Sequence, residues 1–84
     1  MVKLLQTDGI VQEVQPKNGE TFSLKELQEF VGGYIELVTL PDDLVLVVNE
    51  EGLLHNLPYN GLAKLMFQRD LVGNILVCPR TMLN

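Results

Sequence analysis

The sequence contains little of what most metal sites and covalent catalysts need. Its 84 residues include one cysteine, one histidine and no tryptophan. A single cysteine, Cys78, excludes a disulfide within the chain and is typical of a reducing compartment. Cys78 and His55 together fall short of the four ligands, or three plus water, that zinc requires. We therefore expect no cofactor and no bound metal.

Basic residues are scarce and unevenly placed. Six Lys and Arg stand against eleven Asp and Glu, for a net charge of −5. Residues 26–63 contain no Lys or Arg, but they hold seven acids: Glu26, Glu29, Glu36, Asp42, Asp43, Glu50 and Glu51. A field of this sign repels phosphate, so we expect no binding to nucleic acid or to an anionic membrane surface. The acids form either a solvated face or a contact surface for a cationic partner or divalent ion.

Long apolar runs are also missing. The longest, residues 44–48, is far shorter than the roughly 20 residues of a membrane helix. Lys3 interrupts the apolar start, so no secretory signal is expected. An apolar fraction of 46% in 84 residues is typical of one globular domain. We expect a single cytoplasmic domain over residues 1–84, ending in a short loose tail at 79–84.

The first half of the chain carries clear signals for a hairpin and a helix. Asp8-Gly9 between two alternating runs predicts an antiparallel hairpin with a type I′ turn. Ser23 followed by Glu26 predicts a capping box that begins a helix. Gly32 in the left-handed conformation should end that helix. The helix should carry one apolar stripe, formed by Leu24, Leu27, Phe30 and Val31.

The second half predicts further strands and a second helix. Residues 34–40 and 44–48 predict two strands joined by a turn at 41–43, and residues 53–55 a short extra strand. Because residues 44–48 are apolar on both faces, that strand should lie inside the sheet. Asn60 should cap a helix over 61–70 whose inner face is Leu62, Leu65, Met66 and Arg69.

Together these elements predict an α+β domain. After a last strand at 75–78, the element order is ββαβββαβ. Such an order favours a mainly antiparallel sheet of about five or six strands. We expect both helices to pack on one face of this sheet.

The acidic pairs do not predict catalysis. Asp42-Asp43 and Glu50-Glu51 lie at opposite ends of one strand, about 20 Å apart, so they cannot act as a general acid and base. Ser23 is committed to its cap, and Cys78 lies in an apolar run where an inert buried thiol is expected. The sequence contains no calcium-loop, nucleophile-elbow or phosphate-loop motif. We therefore expect a protein that is not an enzyme.

Polar side chains at turns are the candidate binding residues. Small polar ligands and protein partners both use hydroxyls, amides and carboxylates of this kind. The alternative is purely structural, because Asn at turns and caps needs no ligand. The candidates are Tyr34, Glu36, Asn49, Glu50, Glu51 and Asn60.

The same segments carry a family resemblance. The most specific are Gly-Gly-Tyr-Ile-Glu at 32–36 and Asn-Glu-Glu-Gly at 49–52, and the matching segments are residues 22–28, 31–36, 47–52, 57–60 and 73–77. Over about residues 10–78 the chain resembles a family of small uncharacterised domains found in bacteriophages, plasmids and bacterial mobile elements. The resemblance implies a cytoplasmic accessory protein of unknown function, with no catalytic residues to transfer.

Two functional hypotheses follow. The first is a non-enzymatic binding module that contacts a host protein with a basic surface through the acidic residues. The alternative is a small-molecule domain holding a nucleotide-like ligand near Gly32, Gly33, Tyr34 and Asn49. The small core and the apolar strand at 44–48 also predict a homodimer.

Overall fold

The computed structural model describes residues 2–83 as one antiparallel sheet with two α-helices. The strands cross the sheet in the order β2-β1-β5-β4-β3, and every neighbouring pair is antiparallel. This confirms the predicted α+β class and a sheet of five strands. The elements are β1 (Lys3–Leu5), β2 (Val11–Glu13), α1 (Leu24–Val31), β3 (Ile35–Thr39), β4 (Leu44–Asn49), α2 (Gly61–Phe67) and β5 (Ile75–Pro79).

The helices lie on opposite faces of the sheet, so the prediction that both pack on one face is wrong. On one face, Leu27 and Val31 of α1 pack with Val45 and Val47 of β4. On the other, Ala63 of α2 packs with Leu46 and Val48. Both faces of β4 are apolar, so a single helical layer would leave one of them in water. We call these the α1 face and the α2 face.

The predicted capping box of α1 is confirmed, and its glutamate has a second role. Ser23 Oγ accepts a hydrogen bond from the Glu26 amide at 3.2 Å, and Glu26 Oε1 accepts one from the Ser23 amide at 3.0 Å. Glu26 Oε2 also accepts from the Lys17 amide at 2.9 Å. Glu26 therefore ties the loop before the helix to its first turn. Gly32, with φ of 80°, ends α1 as predicted.

The predicted cap of α2 is confirmed, but of its predicted inner face only Leu62 packs against the core, and its predicted end is wrong. The Asn60 side chain accepts from the Ala63 amide, and Ala63 is fully buried. Leu65, predicted to face inward, is 79% exposed. The helix ends at Phe67, because Gln68 adopts a left-handed conformation with φ of 57°. The hydrogen bonds that anchor Asn60 to the sheet turn Ala63 inward.

The turn of the first hairpin differs from its prediction, whereas the turn predicted at 41–43 is present. The β1–β2 hairpin is present, but only Gly9 has positive φ, so its turn is not type I′. Instead the Gly9 amide donates to Gln6 O at 3.0 Å, a turn followed by a left-handed glycine. Between β3 and β4, both Asp42 and Asp43 take the left-handed conformation, with φ of 64° and 60°.

Residues 53–55 also differ from prediction, and of the predicted loose tail at 79–84, Asn84 lies outside the described residues. Successive turns occupy residues 50–56, where the His55 amide donates to Glu51 O, so there is no extra strand. The described part of the tail is attached to the fold. The Arg80 amide donates to Asp43 O at 2.7 Å, and the Phe22 amide donates to Met82 O at 2.8 Å.

Replacing Glu26 with Gln should destabilise the protein at neutral pH. Hydrogen bonds from the Ser23 amide and then the Lys17 amide hold the pKa of Glu26 below its usual value of 4.5. The ionised carboxylate therefore stabilises the fold at pH values above about 4.5. This contribution to the free energy of unfolding disappears as the pH falls through the lowered pKa of Glu26. Urea unfolding should show Glu26→Gln less stable than wild type at pH 7, with a gap that narrows in acid. A gap that is independent of pH, or equally present in the exposed control Glu20→Gln, would contradict this role.

Candidate functional site

A groove on the α2 face lies where β4 leaves the sheet. Its volume is about 180 Å³, and Val48, Leu71 and Val72 contribute to its lining. Asn49, four carboxylates and two further leucines complete the lining. We call this the acidic groove, defined by Glu36, Glu50, Glu51, Asp70, Leu53 and Leu54.

The edge position of β3 explains how Glu36 reaches the groove. Glu36 lies directly opposite Val48 in the β3–β4 register, so both side chains are on the α2 face. Val48 is buried in the apolar core on the α2 face, whereas Glu36 remains exposed. A charged side chain is tolerated here because β3 is the last strand of the sheet.

Asn49 holds the start of the groove's turn segment. Its Oδ1 accepts from the Glu51 amide at 2.8 Å, and its Nδ2 donates to Val31 O at 3.0 Å. A Cβ on Gly33 would lie 3.0 Å from Asn49 Nδ2, so the glycine permits this close approach. Asn49 is buried and its amide is already bonded within the protein. It positions the segment after β4.

Gly52 allows the same segment to pack closely against Val72. A Cβ at this position would lie 2.7 Å from Val72 Cγ2, closer than real contacts allow. The Gly52 carbonyl accepts from the Leu57 amide at 3.0 Å, which closes the turns. The residues between have little room to turn inward, and Leu53 and Leu54 are 82% and 79% exposed.

These two leucines, together with Asp70, are the parts of the acidic groove that the sequence analysis missed. A single exposed leucine is ordinary on a protein surface, whereas these two adjacent ones form an exposed apolar patch beside the groove. The signal available was a pair of neighbouring apolar residues between Gly52 and Pro58. Such a pair cannot both face inward from one strand.

Two of the four carboxylates, Asp70 and Glu51, interact with side chains of the protein itself. Asp70 accepts a hydrogen bond from the Tyr59 hydroxyl at 2.7 Å and lies 3.5 Å from Lys64 Nζ. The hydrogen bond from Tyr59 and, to a smaller extent, the charge of Lys64 lower the pKa of Asp70. The hydrogen bond between Tyr59 and Asp70 also raises the pKa of Tyr59. Glu51 Oε1 lies 3.5 Å from His55 Nε2.

The other two carboxylates, Glu36 and Glu50, form no ion pair with any residue from 2 to 83. Both side chains are exposed at the groove. Two negative charges are therefore available to an incoming cation without displacing an internal one.

The structure brings most of the predicted binding residues together. Glu36, Asn49, Glu50 and Glu51 all line the acidic groove. Tyr34 lies beside it, in a shallow concavity of about 210 Å³ shared with Gln28, Gly33 and Glu51.

Asn60 is separate from the groove and fully buried. Its Nδ2 donates to Leu5 O at 2.9 Å and to Gly73 O at 2.8 Å, while its Oδ1 caps α2. Both donor positions of the side chain are used within the fold, and its oxygen accepts one hydrogen bond. Asn60 therefore joins β1, α2 and the approach to β5.

The remaining chemically reactive groups do not add to the site. Cys78 is buried, and desolvation raises the pKa of its thiol to about 11, so little thiolate forms at neutral pH. Within residues 2–83, no three His, Cys, Asp or Glu side chains are grouped as a metal ion would need. No helix in the same range is long and apolar enough to cross a membrane.

Comparison with known proteins gives one match. The family model described as a domain of unknown function, DUF3846, matches residues 3–82. Neither the curated proteins nor the solved structures contain a match.

Removing the Asn60 side chain should be costly to folding. Asn60→Ala deletes a helix cap worth about 1 kcal/mol. It also leaves the buried Gly73 O without a donor, at about 1 kcal/mol or more, and removes one donor from Leu5 O, which still faces the Ile75 amide in the β1–β5 register. We expect a loss of about 2 kcal/mol in urea unfolding. Asn60→Asp should keep the cap but still lose the two donors. A loss below about 1 kcal/mol for Asn60→Ala would contradict this role.

Proposed function

The chain belongs to the DUF3846 family, and we propose that it is a non-enzymatic binding module that contacts a basic protein through the acidic groove. The observation that supports this is the grouping of four carboxylates around exposed Leu53 and Leu54. The resemblance to proteins of phages and mobile elements supplies the setting. In that setting the chain is an accessory protein and its partner is a host protein with a basic surface.

The charges and the leucines make different contributions. An exposed ion pair contributes only about 0 to 1 kcal/mol, so Glu36 and Glu50 chiefly select and orient a cationic partner. Burying a leucine contributes about 1.5 to 3 kcal/mol, so Leu53 and Leu54 would supply most of the affinity. The partner should therefore carry apolar side chains next to lysines or arginines.

The groove is less suited to the alternative, a nucleotide-like small molecule. Its volume of about 180 Å³ is below the roughly 300 to 1,000 Å³ of typical ligand pockets. Its carboxylates would repel a phosphate. The region suggested for such a ligand includes Asn49, whose amide is already bonded to Val31 and Glu51. A protein partner fits these features better.

The homodimer prediction loses one of its two grounds. Val45, Leu46 and Val47 are fully buried within one chain. The apolar surface of β4 is therefore covered by the chain's own helices and offers nothing to a second copy. The small core remains as the reason to expect self-association.

A fluorescent peptide of alternating lysine and valine provides a direct test of the groove. Anisotropy at low salt should show binding that weakens as salt is added, because exposed charges are screened. Replacing Glu36, Glu50 and Glu51 together with Gln should raise Kd about tenfold, at about 0.5 kcal/mol for each pair. The matched control replaces Glu13, Glu20 and Glu29 with Gln, an equal change of charge outside the groove.

Further arms of the same experiment separate the possible explanations. Leu53→Ser with Leu54→Ser should also weaken binding while leaving the melting temperature nearly unchanged, because both side chains are exposed. Equal weakening by the groove and control triple variants would mean that only net charge matters. Equal binding of a glutamate and valine peptide, or binding of ATP in place of the basic peptide, would contradict the proposal.

A further inference from the structure

The outer edge of β3 is unpaired within residues 2–83. The sheet order places β3 last, with β4 as its sole neighbour among the described strands. At five residues, β3 is longer than β2, the three-residue strand at the other edge. A strand edge presents backbone donors and acceptors that another chain can use.

The register shows which backbone groups point outward. The Glu50 amide donates to Tyr34 O at 2.8 Å, and the Leu40 amide donates to Leu44 O at 2.9 Å. Between these two bonds, hydrogen-bonded pairs alternate with unbonded ones, as in any antiparallel ladder. Glu36 and Val38 therefore bond to β4, and the N–H and C=O groups of the other three residues point away from it: Ile35, Leu37 and Thr39.

This edge has little protection against strand addition beyond the charge of Glu36. Natural edge strands carry lysines, prolines or bulges, or are very short. β3 contains no lysine or proline, and its pairing with β4 runs without interruption over all five residues. Leu37, at its centre, is 43% exposed on the α1 face.

We propose that an extended basic segment of the partner adds to β3 as a sixth, antiparallel strand. Antiparallel pairing continues the pattern of the whole sheet and is slightly more stable per residue than parallel pairing. This inference rests on the proposed function and specifies how the partner is held. Main-chain hydrogen bonds supply affinity in such complexes, and alternate side chains supply specificity.

The two faces of β3 determine the chemistry of the added strand. Residues opposite Ile35, Leu37 and Thr39 lie on the α1 face, where Leu37 offers an apolar contact. The residues between them lie on the α2 face beside Glu36, next to the acidic groove. The segment should therefore alternate apolar residues with lysine or arginine.

Charge favours such a segment over a second copy of the chain. A second copy would bring its own net charge of −5. Antiparallel pairing of two β3 strands about Leu37 would place both Glu36 carboxylates on the same face, close to each other. A basic strand instead brings the opposite charge to Glu36.

The test uses the lysine and valine peptide and a variant that removes one outward amide. Leu37→Pro deletes an N–H that the β4 ladder does not use, whereas Leu37→Thr keeps it in a strand-forming residue. Binding should weaken about tenfold for Leu37→Pro and far less for Leu37→Thr. The same peptide with N-methyl groups on its valines should also bind about tenfold more weakly, because antiparallel pairing directs those amides at β3.

Hydrogen exchange on the wild-type protein gives a measurement that does not depend on variants folding. The amides of Ile35, Leu37 and Thr39 should gain protection when the peptide binds. Unchanged exchange there, with the groove triple variant still weakening binding, would overturn strand addition while leaving the groove proposal intact. Absence of peptide binding would overturn both. Self-association with these amides protected before peptide is added would show that a second copy occupies the edge and would also overturn the inference.

Discussion

The structure depends on one constraint: the central strands β4 and β5 are apolar on both faces, and both faces must be removed from water. Leu46 and Val77 face α2, whereas Val47 and Leu76 face α1, and all four are fully buried. Within residues 2–83, each face has a single α-helix, of eight residues or seven. Helices this short are marginal alone. Their stability therefore rests on packing against the sheet and on the caps at Ser23 and Asn60.

The acidic groove is a consequence of this arrangement. α2 is short, so it covers the α2 face only in part, and residues 70–72 line the remainder without filling it. β4 ends at Asn49, which ties the departing chain to α1 through Val31. Gly52 then holds the turns against Val72. Leu53 and Leu54 remain in solvent beside Glu36, which the edge strand supplies. The apolar and acidic surface thus lies on a segment held by hydrogen bonds and close packing.

Local signals in the sequence were sufficient where the physics is local. The capping box of Ser23 and Glu26, the left-handed Gly32 and the cap at Asn60 each depend on residues within a few positions, and the structure contains all three. The central position of β4 also followed, because five apolar residues in a row need cover on both sides. The faces chosen by the helices did not follow. A strand apolar on both faces accepts a helix on either, and nothing in its alternation distinguishes them.

The candidate site was predictable to a similar extent. Glu50 and Glu51 follow β4 directly, so their place at its end could be inferred from the chain. Asp70 is distant in sequence and reaches the groove through the Tyr59–Val72 bridge, a tertiary contact without a local signal. Asn60 looked like a binding residue because caps and ligand contacts use the same side chains. Only the burial of its amide against Leu5 and Gly73 separates these roles.

The central claim is that the carboxylates and the two leucines act together as one surface for a basic partner. The most direct measurement is an NMR titration with the lysine and valine peptide that follows the methyl groups of Leu53 and Leu54. We predict saturable shifts of these methyl resonances together with the backbone amides of Glu36 and Glu50, and none with the matching glutamate and valine peptide. Shifts scattered over both faces of the sheet, with the two leucine methyl groups unchanged, would contradict the account.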